Sequence, residues 1–194
     1  MASGRGSNFE ALVGACRSGA LPAEVCLLVV NRIDCGAQQR AERLGIPWQL
    51  HDHRAYGSRE HLDRALCDSF RRQEVDLVVM AGWMRIVSDE LIRAYPDRLI
   101  NIHPSLLPSF RGARAIEQAL AAGVTISGCT AHLVRLEVDS GPILVQAAVP
   151  IQAGESADSL AARIHRQEHR ILPLAVRLAA ERLGLLEPPA DNQG

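Results

Sequence analysis

Aromatic side chains make up only 4% of this sequence, which leaves little material for the stacking platforms on which proteins hold unpaired bases. Positive charge is not in excess either: the formal net charge of −1 lacks the basic surplus of a nucleic-acid binder. No apolar run approaches the roughly 20 residues that cross a bilayer, and the first residues do not form a charged-then-apolar leader. The five cysteines, at positions 16, 26, 35, 67 and 129, never stand as C-x-x-C. Odd in number and scattered, they read as reduced thiols of a cytoplasmic protein. There is no internal repeat, low-complexity tract or linker. Residues 1–186 are therefore expected to form a single domain, and the polar, proline-rich residues 187–194 a frayed tail. What is present is 194 residues that are 47% hydrophobic, enough for a core that removes roughly 70% of the unfolded surface from water.

Two periodicities alternate along the chain. Val25 to Val30 is an apolar run that reads as a buried strand, and Val75 to Met80 reads as the next. Trp48 to Leu50, Leu99 to His103, Cys129 to Val134 and Ile143 to Val149 complete the strand set. Between them, apolar residues recur at helical spacing. One helix follows Ser7, where Ser7 and Glu10 form a capping-box pattern. Others run from Ala37 to Leu44, from Ser58, from Ser88, and from Ala115 to Ala122. A long amphipathic segment starts at Ser156, with Leu160, Ile164, Ile171, Leu174 and Leu178 as its apolar stripe and a kink or break expected at Pro173. Strands alternating with helices predict an α/β fold with a doubly wound, mostly parallel sheet of Rossmann-like type. Ligands then bind at the carboxyl ends of the strands.

Two polar features fall at that edge. Ser3-Gly4-Arg5-Gly6-Ser7-Asn8 is a glycine turn opening a helix, where free N–H groups and the helix dipole both favour an anion. Asn101-Ile102-His103-Pro104-Ser105-Leu106-Leu107-Pro108 is a strand end running into a proline-stiffened loop. Asn101 and His103 are two apart and share a face of the strand. An amide donor beside an imidazole suits a carbonyl carbon becoming tetrahedral while its oxygen gathers charge. Asp139, before Ser140-Gly141-Pro142, supplies a carboxylate that would favour the charged imidazole. Read singly, these are a polar strand lip and a turn aspartate. No serine or cysteine has an evident base partner, so the nucleophile is expected to come from a substrate.

Five motifs occur in order: Ser3 to Asn8, Ala81-Gly82-Trp83-Met84-Arg85-Ile86, Asn101 to Pro108, Asp139-Ser140-Gly141-Pro142-Ile143, and Gln167-Glu168-His169. Together they resemble the phosphoribosylglycinamide formyltransferases of purine biosynthesis over about residues 2–183. The resemblance implies a transferase in which the amine of glycinamide ribonucleotide attacks the formyl carbon of 10-formyltetrahydrofolate, a co-substrate, with no metal. It implies that Asn101, His103 and Asp139 are catalytic. Asn101 and His103 would hold the formyl oxygen, and Asp139 would sustain the protonated His103 and relay a proton through water. By the same resemblance Gly6, Ser7 and Asn8 bind the ribonucleotide phosphate, and His165 and Glu168 form the far side of that site. Arg59, Met84, Arg85, Ile86 and Val87, with Asn101, line the folate site. The loop around 106–116 closes over the substrates, with Ser109-Phe110-Arg111-Gly112 as its tip. The partners implied are small molecules, with no nucleic acid and no membrane, acting on a monomer or homodimer.

Several rival readings fit less of the chain. His165-x-x-Glu168-His169 fits a zinc-peptidase pattern, but a third protein ligand is still needed; His51-Asp52-His53 reads as a surface turn. Gly4-x-Gly6 lacks the third glycine of a dinucleotide fingerprint. A formyltetrahydrofolate deformylase would share Asn101, His103 and Asp139, but such enzymes carry a second histidine where this chain has Pro104. A methionyl-tRNA formyltransferase adds a basic carboxyl-terminal domain. A non-catalytic folate-binding protein would bind the donor without moving the formyl group. The relatives also place a buried strand before the glycine turn. Here only Met1 and Ala2 precede it, so the first strand is expected to be missing, with a gap in the core and unpaired backbone groups beside it. The expectation is that the natural protein starts further upstream.

Overall fold

The computed structural model describes residues 1–187. Residues 188–194, most of the segment read as a frayed tail, lie outside the described residues. In chain order the elements are α1 (Ser7–Arg17), β1 (Leu28–Val30), α2 (Gly36–Leu44), β2 (Trp48–Leu50), α3 (Arg59–Arg72), β3 (Val78–Met80), α4 (Asp89–Ala94), β4 (Leu99–His103), α5 (Ala115–Ala121), β5 (Ile126–Leu133), β6 (Ile143–Pro150) and α6 (Ala157–Arg182). β1 pairs parallel with β2, and β3 parallel with β4. The last two pairings, β4 with β5 and β5 with β6, are antiparallel. The fold is α/β as expected, with the parallel character confined to the first four strands.

Helices cover both faces. One apolar core gathers Phe9, Leu12 and Val13 of α1, Ala37 and Ala41 of α2, and Leu160, Ile164, Leu172 and Val176 of α6 against the strands. The other gathers Leu62, Leu66 and Phe70 of α3 with Leu91 of α4 against Val29, Val78 and Leu99. The local signals behind the helices mostly act as read. Ser58 Oγ accepts from the His61 N–H, and Gly45 closes α2 in the left-handed region at φ 65°. Two readings are corrected. Ser7 does not cap α1: Gly6 is the cap residue at φ 76°, no side chain bonds the first turn, and Glu10 pairs instead with Arg40 and Arg43. Pro173 does not break α6, which runs unbroken through it. Leu174 beside it is 55% exposed and lies off the apolar stripe.

The centre of the sheet shows what the short amino-terminal segment can and cannot do. Met1 and Ala2 lie between β1 and β3. Ala2 N–H donates to Val29 O at 2.9 Å, Ala81 N–H to Met1 O at 2.9 Å, and the Met1 amine to Val79 O at 2.7 Å. These bonds join the two sheets at their carboxyl ends. Beyond them the slot is open, a cavity of about 470 Å³ lined by Val25, Leu27, Val75, Leu77, Phe9 and Val176 among others. The expected strands over 25–30 and 75–80 are shortened to their last three residues, which pair with Trp48–Leu50 and with Leu99–Asn101. The Met1 amine is fully buried, and desolvation brings its pKa down from 8.0 to about 5. No helix among the described residues is long and apolar enough to cross a membrane.

Candidate active site

The carboxyl edge of the sheet carries the polar groups. β4 delivers Asn101 and His103 to one face, with His103 only 5% exposed. The antiparallel partner β5 sets His132 directly opposite Asn101 and Thr130 opposite His103. Thr130 ties down the loop after β4: its hydroxyl donates to Ser105 O at 2.7 Å and accepts from Leu107 N–H at 3.0 Å. Asp139 arrives from the β5–β6 connection in the left-handed region at φ 52°. The turn is tight there, and a Cβ on Gly141 would overlap the Leu133 carbonyl, so only glycine lets the chain pass.

Four side chains converge. His103 Nδ1 lies 3.3 Å from Asp139 Oδ2, and His132 Nε2 lies 3.5 Å from Asp139 Oδ1. Asn101 Nδ2 is 3.4 Å from that same oxygen and 3.2 Å from His132 Nε2. His132 Nδ1 donates to Leu133 O at 2.9 Å. Burial pushes the Asp139 carboxyl up, but the His132 contact, the Gly112 N–H and the nearby imidazoles outweigh it, so the group sits below the usual carboxylate range. Asp139 is therefore a carboxylate at neutral pH, shared between two histidines.

The loop over 109–114 lies on top of this cluster. Phe110 O accepts from His103 Nε2 at 2.8 Å, and Gly112 N–H donates to Asp139 Oδ2 at 2.9 Å. Arg111 pairs with Glu137 across the opening at 2.9 Å, an exposed contact that adds little energy. Phe110 and Arg114 stand in the left-handed region at φ 55° and 57°, a cost that the surrounding contacts must hold in place. Beside the cluster opens a cleft of about 420 Å³, walled by Met84 to Val87, Asn101 to Pro104, Gly112 to Glu117, Leu136, Val138 and Asp139. Met84 and Ile86 are 80% and 58% exposed, an apolar lining on one side with few convergent polar groups on the other. Arg59 does not line this cleft; at the first turn of α3 it pairs with Glu60.

The glycine turn stands at the same sheet edge. A Cβ on Gly6 would come within 2.5 Å of Ala37 Cα, so this position takes only glycine. Asn8 Nδ2 donates to Glu168 Oε2 of α6 at 2.7 Å, with Glu168 3% exposed. His165 Nε2 is 4.0 Å from the same carboxylate oxygen. Asn8 Oδ1 and His169 Nε2 are buried with no partner, and the open first turn of α1 lies beside Asn8. Among the described residues no three His, Cys, Asp or Glu side chains are grouped so as to hold a metal ion.

Reading the sequence alone missed His132. It lies near the end of β5, whose Ser127 and Thr130 are also polar, and its register opposite Asn101 is what brings it to Asp139. The odd histidine was visible; the pairing partner was not.

Known proteins share this arrangement of chain. Residues 1–176 match the family model described as Formyl transferase. The sequence is 42% identical over 178 residues to the trifunctional purine biosynthetic protein adenosine-3 of Gallus gallus, covering 92% of this chain but 18% of that protein. The chain thus spans less than a fifth of the length of that relative. It is 40% identical over 179 residues to the phosphoribosylglycinamide formyltransferase of Escherichia coli (strain K12), covering 92% of this chain and 84% of that one. The crystal structure of glycinamide ribonucleotide transformylase 1 from Symbiobacterium toebii superposes with a TM-score of 0.92 at 44% identity, covering 97% of this chain and 88% of that one.

Proposed function

This chain belongs to the formyl transferase family, and on that footing we propose that it moves a formyl group from 10-formyltetrahydrofolate to the amine of glycinamide ribonucleotide, a step of purine biosynthesis. The observation that carries the reading is the meeting of Asn101, His103 and Asp139 on one wall of the cleft, with His103 and Asp139 3.3 Å apart. The amine nitrogen attacks the formyl carbon, the carbonyl oxygen becomes negative, and the bond from that carbon to the folate nitrogen breaks. The attacking amine loses a proton and the departing nitrogen gains one. Asn101 and His103 donate to the oxygen as charge develops, where fixed donors in a partly dry site act most strongly. Asp139 keeps the His103 imidazole oriented and favours its charged form, while its other oxygen faces His132 Nε2.

His103 Nε2 is bonded to Phe110 O, so the 109–114 loop has to yield before that nitrogen can serve the substrate oxygen. The cleft suits the donor: Met84, Ile86, Val87, Leu136 and Val138 offer apolar walls to a flat ring system. Gly6, Ser7 and Asn8 suit a phosphate, and the unpartnered Asn8 Oδ1 and His169 Nε2, with Glu168, suit the polar remainder of the acceptor. Arg85 lines the cleft, whereas Arg59 is assigned to the donor by resemblance alone. Five free cysteines agree with a cytoplasmic protein; its partners are taken to be small molecules, bound by a monomer or homodimer.

The test follows the absorbance of the folate product with and without glycinamide ribonucleotide. Turnover that requires the ribonucleotide supports the proposal. Turnover without it points to a deformylase, and donor binding without turnover to a folate-binding protein; either result overturns it.

A further inference from the structure

The segment from Gly82 to Ser88 carries two of the most exposed apolar side chains of the cleft wall, Met84 and Ile86, yet it is neither helix nor strand. An irregular segment that displays apolar surface has no ladder of its own to fix its shape. Side chains from two distant parts of the chain hold its ends. At the first, Gly82 O accepts from the Ser3 N–H at 3.0 Å, and Ser3 Oγ accepts from the Met84 N–H at 2.9 Å. At the second, Asp63 Oδ2 accepts from the Ser88 N–H at 2.5 Å.

Both anchors are out of solvent, Ser3 at 4% and Asp63 at 1% exposure. An aspartate so deep is costly unless a bonded partner repays its desolvation. Its helix neighbours Leu62, Leu66, Cys67 and Phe70 are all buried apolar residues, so packing alone would be met by an apolar side chain there. Burial raises the Asp63 carboxyl, and the Ser88 N–H works against that rise. The catalytic steps use neither Ser3 nor Asp63.

We propose that Ser3 and Asp63 are positioning residues for the formyl donor, clamping segment 82–88 at its two ends so that Met84 and Ile86 stand as a preset wall for the donor's ring system. This rests on the reading of the cleft as the donor site. Ser3 also belongs to the glycine turn, so one hydroxyl links the two substrate sites, whereas Asp63 acts on the donor side alone.

The experiment measures KM for 10-formyltetrahydrofolate and for glycinamide ribonucleotide separately, with the melting temperature, in the wild type and in D63A, D63N and S3A. In D63A the Ser88 N–H loses its buried acceptor, and donor KM should rise about tenfold. Ribonucleotide KM should stay within about twofold. D63N keeps an amide oxygen that can accept that N–H, and its donor KM should stay within about threefold of wild type. S3A should raise donor KM more than ribonucleotide KM. A folded D63A with unchanged donor KM, or with both KM values raised alike, overturns the clamp. If D63A does not fold, a folded S3A with unchanged donor KM overturns it equally. A wild type with no turnover fails the functional reading and the clamp together, whereas an active wild type with insensitive variants fails the clamp alone.

Discussion

Taking away the His103 imidazole removes both a donor for the developing oxyanion and the partner of Asp139. H103A should lower kcat by about 10²–10⁴-fold, the usual range for a positioned acid or base, with circular dichroism unchanged because the ring lies at the sheet edge. D139A should do the same. H132A should cost less, since His132 reaches the reaction only through Asp139 and Asn101; a loss as large as that of H103A would put His132 on the substrate itself. G6V should chiefly raise the KM for glycinamide ribonucleotide, by about tenfold or more, because the left-handed backbone and the contact with Ala37 both forbid a side chain. An unchanged KM in G6V would detach the turn from the acceptor. At this scale the sequence offered Asn101, His103 and Asp139 as candidates, which the fold brings together, and hid His132, since a histidine inside a strand reads as core until its opposite residue is known.

Secondary-structure elements are decided by what lies beside them. β1 and β3 end up three residues long, half the stretches read as strands, because their ladders run only against Trp48–Leu50 and Leu99–Asn101. An added run of roughly eight apolar residues ahead of Met1 should extend both strands, fill the cavity and raise the melting temperature by several degrees. An equal melting temperature would count against the gap as a source of instability.

The whole molecule is held by α6, which packs on α1 and on the strands. Its Leu172 is fully buried, so L172A should cost about 2–5 kcal/mol in urea unfolding. The ratio of the two KM values should stay put, because the side chain lies in the core under the sheet. A shift in that ratio would mean that α6 also sets the spacing of the two substrate sites.

Much of this protein was fixed by local chemistry alone. The alternation of apolar runs with helical stripes, the glycine that only a left-handed turn accepts, and the polar pair at the end of β4 can all be read residue by residue, because each depends on near neighbours in the chain. Tertiary structure alone decided that Asp139 serves two histidines, that the Phe110 carbonyl sits on His103 Nε2, that Pro173 is carried inside an unbroken helix, and that the sheet has an open slot behind Met1. Each of these depends on burial and pairing in the packed molecule, whether the residues stand seven positions apart, as His103 and Phe110 do, or 38, as Asn101 and Asp139 do, and not on any one stretch of sequence read alone.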